Sequence, residues 1–279
     1  MLLFLLFILL FILLYLYAIC PRLTEHKRMR PYLRTSWAHR GLHNDSDSIP
    51  ENSLPAFEAA LSKGCGIELD VHLSEDGKLI VFHDDTLLRM CGQNERIEAS
   101  TWEQLSALTL QETPERIPLL SEVLSLVAGQ VPLLIEIKLP DKNCAVCEAV
   151  WQELKDYPGP YLIQSFNSVA LRWFRKHHPQ VLLGQLSNNL LQSNPEENII
   201  LRFFVTHLLS NFYCRPDFIS YKYKDRHNLG LWLNRHLFGA PVAVWTLRTP
   251  EAVSHSKEVA DMYIFEQNKK KKRRIVKTL

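Results

Sequence analysis

The chain has 279 residues, with 32 Lys and Arg against 30 Asp and Glu, so its formal net charge is only +2. That balance excludes the broadly basic surface of a nucleic-acid partner, and any basic patch is local. Six cysteines, Cys20, Cys65, Cys91, Cys144, Cys147 and Cys214, are scattered through a chain large enough to fold without staples, which excludes a disulfide scaffold and fits a reducing compartment. Cys144 and Cys147 form a C-x-x-C but lack both the second ligand pair of a zinc site and a thioredoxin-like setting, so they read as packing residues on one helix.

Met1 through Cys20 carry no charge and are dominated by Leu, Phe and Ile. At about 1.5 Å per residue a helix of that length spans roughly 30 Å, the hydrocarbon thickness of a bilayer. A cleaved signal peptide wants a positive n-region, a shorter apolar core and a small-x-small site. No Lys or Arg precedes the run and Tyr17-Ala18-Ile19-Cys20 is a poor site, so residues 1–20 are expected to be an uncleaved single-pass anchor. Arg22, Lys27, Arg28, Arg30 and Arg34 follow in a basic juxtamembrane linker, 21–34, which places the rest of the chain in the cytoplasm. A second basic cluster, Lys269 to Arg274, lies in a tail, 269–279. Each cluster reads either as a solvated run or as a contact with anionic headgroups.

Between them, residues 35–268 alternate strand and helix. Ser36–Ala38 is a short strand. Leu54–Lys63 reads as a helix, with Ser53 as N-cap and Pro55 in the first turn. Gly66–His72 and Leu79–Phe82 are strands joined by a turn at Glu75-Asp76-Gly77-Lys78. Thr101–Leu108 and Leu120–Val127 look helical, the second capped by Ser121 or a neighbour. Leu133–Ile137 is a strand and Cys144–Asp156 a helix. Tyr161–Gln164, Val181–Gly184, Phe218–Tyr221, Val242–Thr246 and Met262–Phe265 are further strands. Between these lie helices over Val169–His177, Glu196–Leu209, Arg226–Leu237 and Pro250–Lys257. About eight such units predict a (β/α)8 TIM barrel rather than an open sheet. Neither G-x-G-x-x-G nor G-x-x-x-x-G-K-S/T occurs, so the nucleotide-binding alternatives lack their phosphate loops.

The residues with chemistry fall at the C-terminal ends of these strands, where a barrel keeps its active site. His39 and Arg40 end the first strand. Glu68 and Asp70 are two apart and share one face. His83 and Asp84 follow the Leu79 strand, and Glu136 and Lys138 close the Leu133 strand. Three facing carboxylates repel and desolvate one another unless a hard cation, Mg²⁺ or Ca²⁺, joins them. The alternative is a structural ion pair with Lys138 or Arg40. His39 and His83 are the natural acid and base, Arg40 offers a phosphate fork, and Lys138 adds positive charge. His72 shares the Glu68 face one step farther on and reads as structural. His177, His178 and His207 read as surface or packing residues.

These residues carry a resemblance. W-A-H-R-G (37–41), P-E-N-S (50–53), G-I-E-L-D-V-H (66–72), V-F-H-D-D-T (81–86), L-I-E-I-K (134–138), Q-S-F (164–166) and V-W-T (244–246) resemble, in order, the glycerophosphodiester phosphodiesterase family. The resemblance implies a TIM barrel with a small insertion at about 85–118. It also implies one divalent cation on Glu68, Asp70 and Glu136, a catalytic pair of His39 and His83, and Arg40 and Lys138 at the phosphate. Glu51 would lie beside the metal and Trp245 would wall the substrate pocket. Ser53 departs from the family's threonine, and Glu266-Gln267 stands where a T-D-type turn ends the last strand, which bears on the pocket floor.

The expected function is metal-dependent hydrolysis of a glycerophosphodiester to glycerol phosphate and an alcohol, by water or by the substrate's own hydroxyl through a cyclic intermediate. The anchor leaves open a lysophospholipase D acting on lysophospholipids at the membrane. A phospholipase C-like cyclase and a non-catalytic, membrane-tethered barrel scaffold are the remaining alternatives.

Overall fold

A computed structural model describes residues 1–44, 48–140, 143–193 and 198–267; the expected basic tail at 269–279 lies outside them. Among the described residues nine strands form one sheet: β1 (Ser36–Ala38), β2 (Gly66–Leu73), β3 (Leu79–Val81), β4 (Leu133–Ile137), β5 (Tyr161–Ser165), β6 (Leu183–Ser187), β7 (Phe218–Lys222), β8 (Val242–Leu247) and β9 (Met262–Phe265). Eight run parallel in the order β1-β9-β8-β7-β6-β5-β4-β2, and β1 pairs with β2 to close the barrel. Strand β3 hangs antiparallel on β2 outside that ring, so the Leu79 segment is a hairpin arm and not a barrel stave.

The helices are α1 (Leu2–Ile19), α2 (Leu54–Ser62), α3 (Leu88–Cys91), α4 (Trp102–Ser106), α5 (Leu120–Val127), α6 (Ala145–Leu154), α7 (Ser168–His177), α8 (Leu190–Ser193), α9 (Ile199–Thr206), α10 (Asn211–Cys214), α11 (Leu229–His236) and α12 (Pro250–Val259). Ser53 caps α2 by accepting from the Ala56 N–H. Helix α5 has Leu119 as its N-cap, and the Leu119 N–H donates to the carboxylate of Glu122, the neighbour of Ser121, at 2.7 Å.

Side-chain alternation sorts each strand into two faces. Ile67, Leu69 and Val71 join Leu133, Ile135 and Ile137 against the helices, in a core shared with Phe57, Val123 and Phe174. The opposite residues point into the barrel. Its lower layers are apolar: Trp37, Leu134, Leu162, Phe218 and Met262 pack with Met29 and Tyr32. The last two come from a 3-10 turn at His26–Tyr32, so the segment 21–34 plugs the barrel floor as well as connecting to α1. Above that floor the interior turns polar, and register sets Asp70 beside Glu136 and Glu136 beside Gln164.

Strand β6 lies later than its apolar run suggests, at Leu183–Ser187 instead of Val181–Gly184. Helix α9 is shorter than the expected Glu196–Leu209, covering Ile199–Thr206; Glu196 and Glu197 lie outside the described residues. The segment from Asp85 to Pro118 builds its own small core from Leu87, Met90, Ile97, Leu105 and Ile117 beneath Ile80 and Phe82.

Candidate active site

His39 leaves β1 and enters a tight turn. Arg40 has φ 55° and Gly41 φ 78°, and a Cβ on Gly41 would lie 2.8 Å from that of Ala56, so only glycine lets this turn close on α2. The turn aims the Arg40 N–H at Glu68 Oε2, 3.0 Å away, and sends its guanidinium to Glu51 Oε1 at 2.7 Å. Asn52, also left-handed at φ 53°, donates from Nδ2 to Asp70 Oδ2 at 2.9 Å.

Glu68, Asp70 and Glu136 are all buried and each offers an oxygen within 4.8 Å of the others'. Gln164 donates to Glu68 Oε1 at 3.2 Å. Lys138 Nζ stands 2.8 Å from Asp70 Oδ1 and also pairs with Glu136. The electrostatics divide the three. Burial and the charges of Asp70 and Glu136 push the Glu68 carboxyl well up. Burial also raises Glu136, with Lys138 opposing. For Asp70 burial is outweighed by Lys138, His83 and Arg40, which hold it well below the usual carboxylate range. Two cations therefore do not fully compensate three buried anions. An all-oxygen donor set with unbalanced negative charge fits a hard divalent cation.

The two histidines sit in matching frames. His39 Nδ1–H donates to Glu266 Oε1 at 2.7 Å, and Arg248 forks onto the same carboxylate at 2.6 and 2.9 Å. His83 Nδ1–H donates to Asp84 Oδ1 at 2.6 Å, and Arg89 forks onto Asp84 at 2.6 and 3.0 Å. Burial works to raise both carboxyls, but the hydrogen bond from histidine and the guanidinium hold Glu266 and Asp84 far below their ordinary values. An ionised carboxylate only accepts, so each ring keeps its proton on Nδ1 and leaves Nε2 to the cavity. Burial, helped by Arg40, drives His39 down to about 4. His72 is driven to about 4 by burial and Lys138; its Nε2 lies 3.4 Å from the His83 carbonyl, a supporting position.

A cavity of about 230 Å³ takes His39, Arg40, Glu68, His83, Glu136 and Trp245 into one wall. Trp245 meets Phe166 edge-on with ring centroids 5.7 Å apart. Glu51 does not line that cavity; its carboxylate sits in a double clamp between Arg40 and Arg89. Several residues here had no role assigned from sequence. Asn52 and Gln164 sit inside the quoted motifs, so position in the motif was an available signal. Arg89, on α3 of the insertion, and Arg248 had none. Glu266 was visible only as a departure at the end of β9.

A sequence model of the glycerophosphoryl diester phosphodiesterase family matches residues 39–272. A glycerophosphodiester phosphodiesterase of Caldanaerobacter subterraneus subsp. tengcongensis is 34% identical over 161 residues, covering 53% of this chain and 65% of that relative. A lysophospholipase D (GDPD1) of Mus musculus is 25% identical over 268 residues, covering 81% of each chain. Among solved structures, a glycerophosphodiester phosphodiesterase of Thermotoga maritima superposes with TM-score 0.62 at 28% identity, covering 82% of this chain and 93% of that one. An Oleispira antarctica phosphodiesterase in complex with the product sn-glycerol-3-phosphate superposes at 0.67 with 22% identity, covering 85% and 94%, which speaks to the fold alone.

Proposed function

The chain belongs to the glycerophosphoryl diester phosphodiesterase family, and on that footing we propose that it hydrolyses glycerophosphodiesters, such as glycerophosphocholine or glycerophosphoethanolamine, to glycerol phosphate and an alcohol. The observation that carries this reading is the pair of framed histidines, each with Nδ1 tied to an arginine-clamped carboxylate, at one cavity beside three buried acids.

Glu68, Asp70 and Glu136 would hold one divalent cation, Mg²⁺ or Ca²⁺. When bound, it supplies charge stabilisation at the phosphoryl oxygens. Arg40 and Lys138 bring positive charge to the same phosphate, and Glu51 acts by fixing the Arg40 guanidinium. His39, kept neutral by burial, accepts the proton of the attacking hydroxyl at Nε2. His83 delivers a proton to the leaving oxygen. Trp245 and Phe166 wall the organic part of the substrate. The test is product analysis by ³¹P NMR: glycerol phosphate supports hydrolysis, and a cyclic phosphate as the final product would assign a cyclase instead.

Helix α1 acts in this reading as a membrane anchor. It is 18 apolar residues long, its side chains up to Leu14 are exposed, and its last residue, Ile19, is buried where α1 meets α10. The basic residues after it favour a cytoplasmic side for the barrel. Such a tether favours a second reading, a lysophospholipase D that takes its substrate at the bilayer.

A further inference from the structure

Beside the catalytic cavity lies a larger one of about 1160 Å³. The two share His83 and Phe166 as lining residues. The larger cavity begins at His83 and Lys138 and reaches Phe212 and Tyr213 on α10. A glycerophosphodiester headgroup does not need that space, since a volume near 1000 Å³ already suits a drug-sized ligand.

Its walls come largely from the connection between β6 and β7. Helix α9 contributes Ile200, Leu201 and Phe204, which are 66%, 53% and 39% exposed. Phe212 and Tyr213 on α10 are 46% and 41% exposed. This many large apolar side chains around one groove are costly in water and mark a site for an apolar ligand. The groove also has a direction. Asn211 Nδ2, on the same α10, donates to the Ile19 carbonyl at 2.8 Å. Arg215, just after α10, donates to the Tyr17 and Cys20 carbonyls at 2.8 and 2.7 Å and stacks 4.4 Å over the Tyr17 ring. The apolar end of the groove is thus fastened to the root of α1, and its polar end is the catalytic mouth.

We propose that this groove binds the acyl chain of a single-chain phospholipid, with Ile200, Leu201, Phe204, Phe212 and Tyr213 as the residues that select for the chain. The inference rests on the phosphodiesterase reading and names its substrate class. A phosphate held near His83 sends one glycerol substituent past Phe166 into the groove, toward the element that roots α1. Water then adds across the P–O bond to the head-group alcohol. Its oxygen goes to phosphorus and a proton goes to the departing alcohol, giving a monoacylglycerol phosphate.

The test uses the full chain in nanodiscs, with glycerophosphocholine and monomeric lysophosphatidylcholines of six to twelve carbons, compared with a Leu201→Asp/Phe204→Asp double variant. Both side chains are exposed enough for the variant to fold. We expect kcat/KM to climb roughly two- to fourfold per added methylene before levelling off, as burial of each CH₂ predicts. The double variant flattens that climb and leaves glycerophosphocholine turnover unchanged. Turnover of glycerophosphocholine with no gain from a chain overturns the acyl site and leaves the phosphodiesterase standing. A variant that slows only vesicle-embedded lipids, with the monomeric series intact, also overturns it, because the patch then seats the bilayer. Loss of glycerophosphocholine and lysolipid turnover alike in the wild type removes the phosphodiesterase reading itself.

Discussion

Glu266 Oε1 lies 2.7 Å from His39 Nδ1 across the closure of the barrel, joining the last strand to the first. The bond fixes the ring's tautomer, and Arg248 fixes the carboxylate in turn. Glu266→Gln keeps the shape and removes the charge. It should lower kcat about 10- to 100-fold, the usual effect of losing the partner that orients a working histidine. Because Glu266 supports the protonated form of a ring already near 4, the acid limb of the kcat/KM profile should move to lower pH. An unmoved limb would reduce Glu266 to a packing role.

His39→Ala and His83→Ala should each cost about 10²- to 10⁴-fold in kcat, the range of a general acid or base. Circular dichroism and the melting temperature should stay near those of the parent. Near-normal turnover in either variant would remove that histidine from the chemistry.

Arg89 bridges Asp84 and Glu51 with four hydrogen bonds, so the segment between β3 and α5 reaches the candidate site. Arg89→Ala frees the carboxylate that orients His83 and one side of the clamp on Arg40. Steady-state kinetics should show kcat reduced about tenfold or more, with both parent residues intact. An unchanged kcat would mean that Asp84 and Arg40 are positioned without it.

His72 gives a stability prediction with a definite sign. Folding lowers it from 6.5 to about 4, chiefly by burial. Between those values the unfolded chain binds the proton and the folded one does not. The wild type therefore loses stability as pH falls from 6.5 toward 4. His72→Gln removes this contribution, so denaturant midpoints measured from pH 7 down to 4.5 should fall less steeply than in the parent. Parallel curves would contradict the buried, neutral ring.

Much of this was legible in the sequence because the chemistry rides on strands with a clear two-residue period. Glu68 and Asp70 alternate with Ile67, Leu69 and Val71, and that alternation alone puts the acids inside the barrel and the aliphatics against the helices. The pattern failed at β6, where Gln185 and Ser187 break the apolar run. Both are buried and satisfied by main-chain carbonyls, Gln185 at Phe166 and Leu186 and Ser187 at Val205, so the strand continues through residues that look like a loop. In sequence Glu266 reads only as a departure from the expected turn, because its partner is 227 residues away. The sequence marks Glu196–Leu209 only as a helix; the fold is what leaves Ile200 and Leu201 uncovered beside the candidate site.

The most direct measurement is choline release from glycerophosphocholine by the full chain, before and after EDTA, with Mg²⁺ or Ca²⁺ then restored. The account predicts turnover that EDTA abolishes and one of the two ions recovers, and a Glu68→Gln variant that needs more ion to reach the same rate. Turnover that survives EDTA would contradict the three-carboxylate cation site. No turnover with either ion, on this substrate or on lysolipids, would contradict the phosphodiesterase assignment and leave a tethered barrel without catalysis.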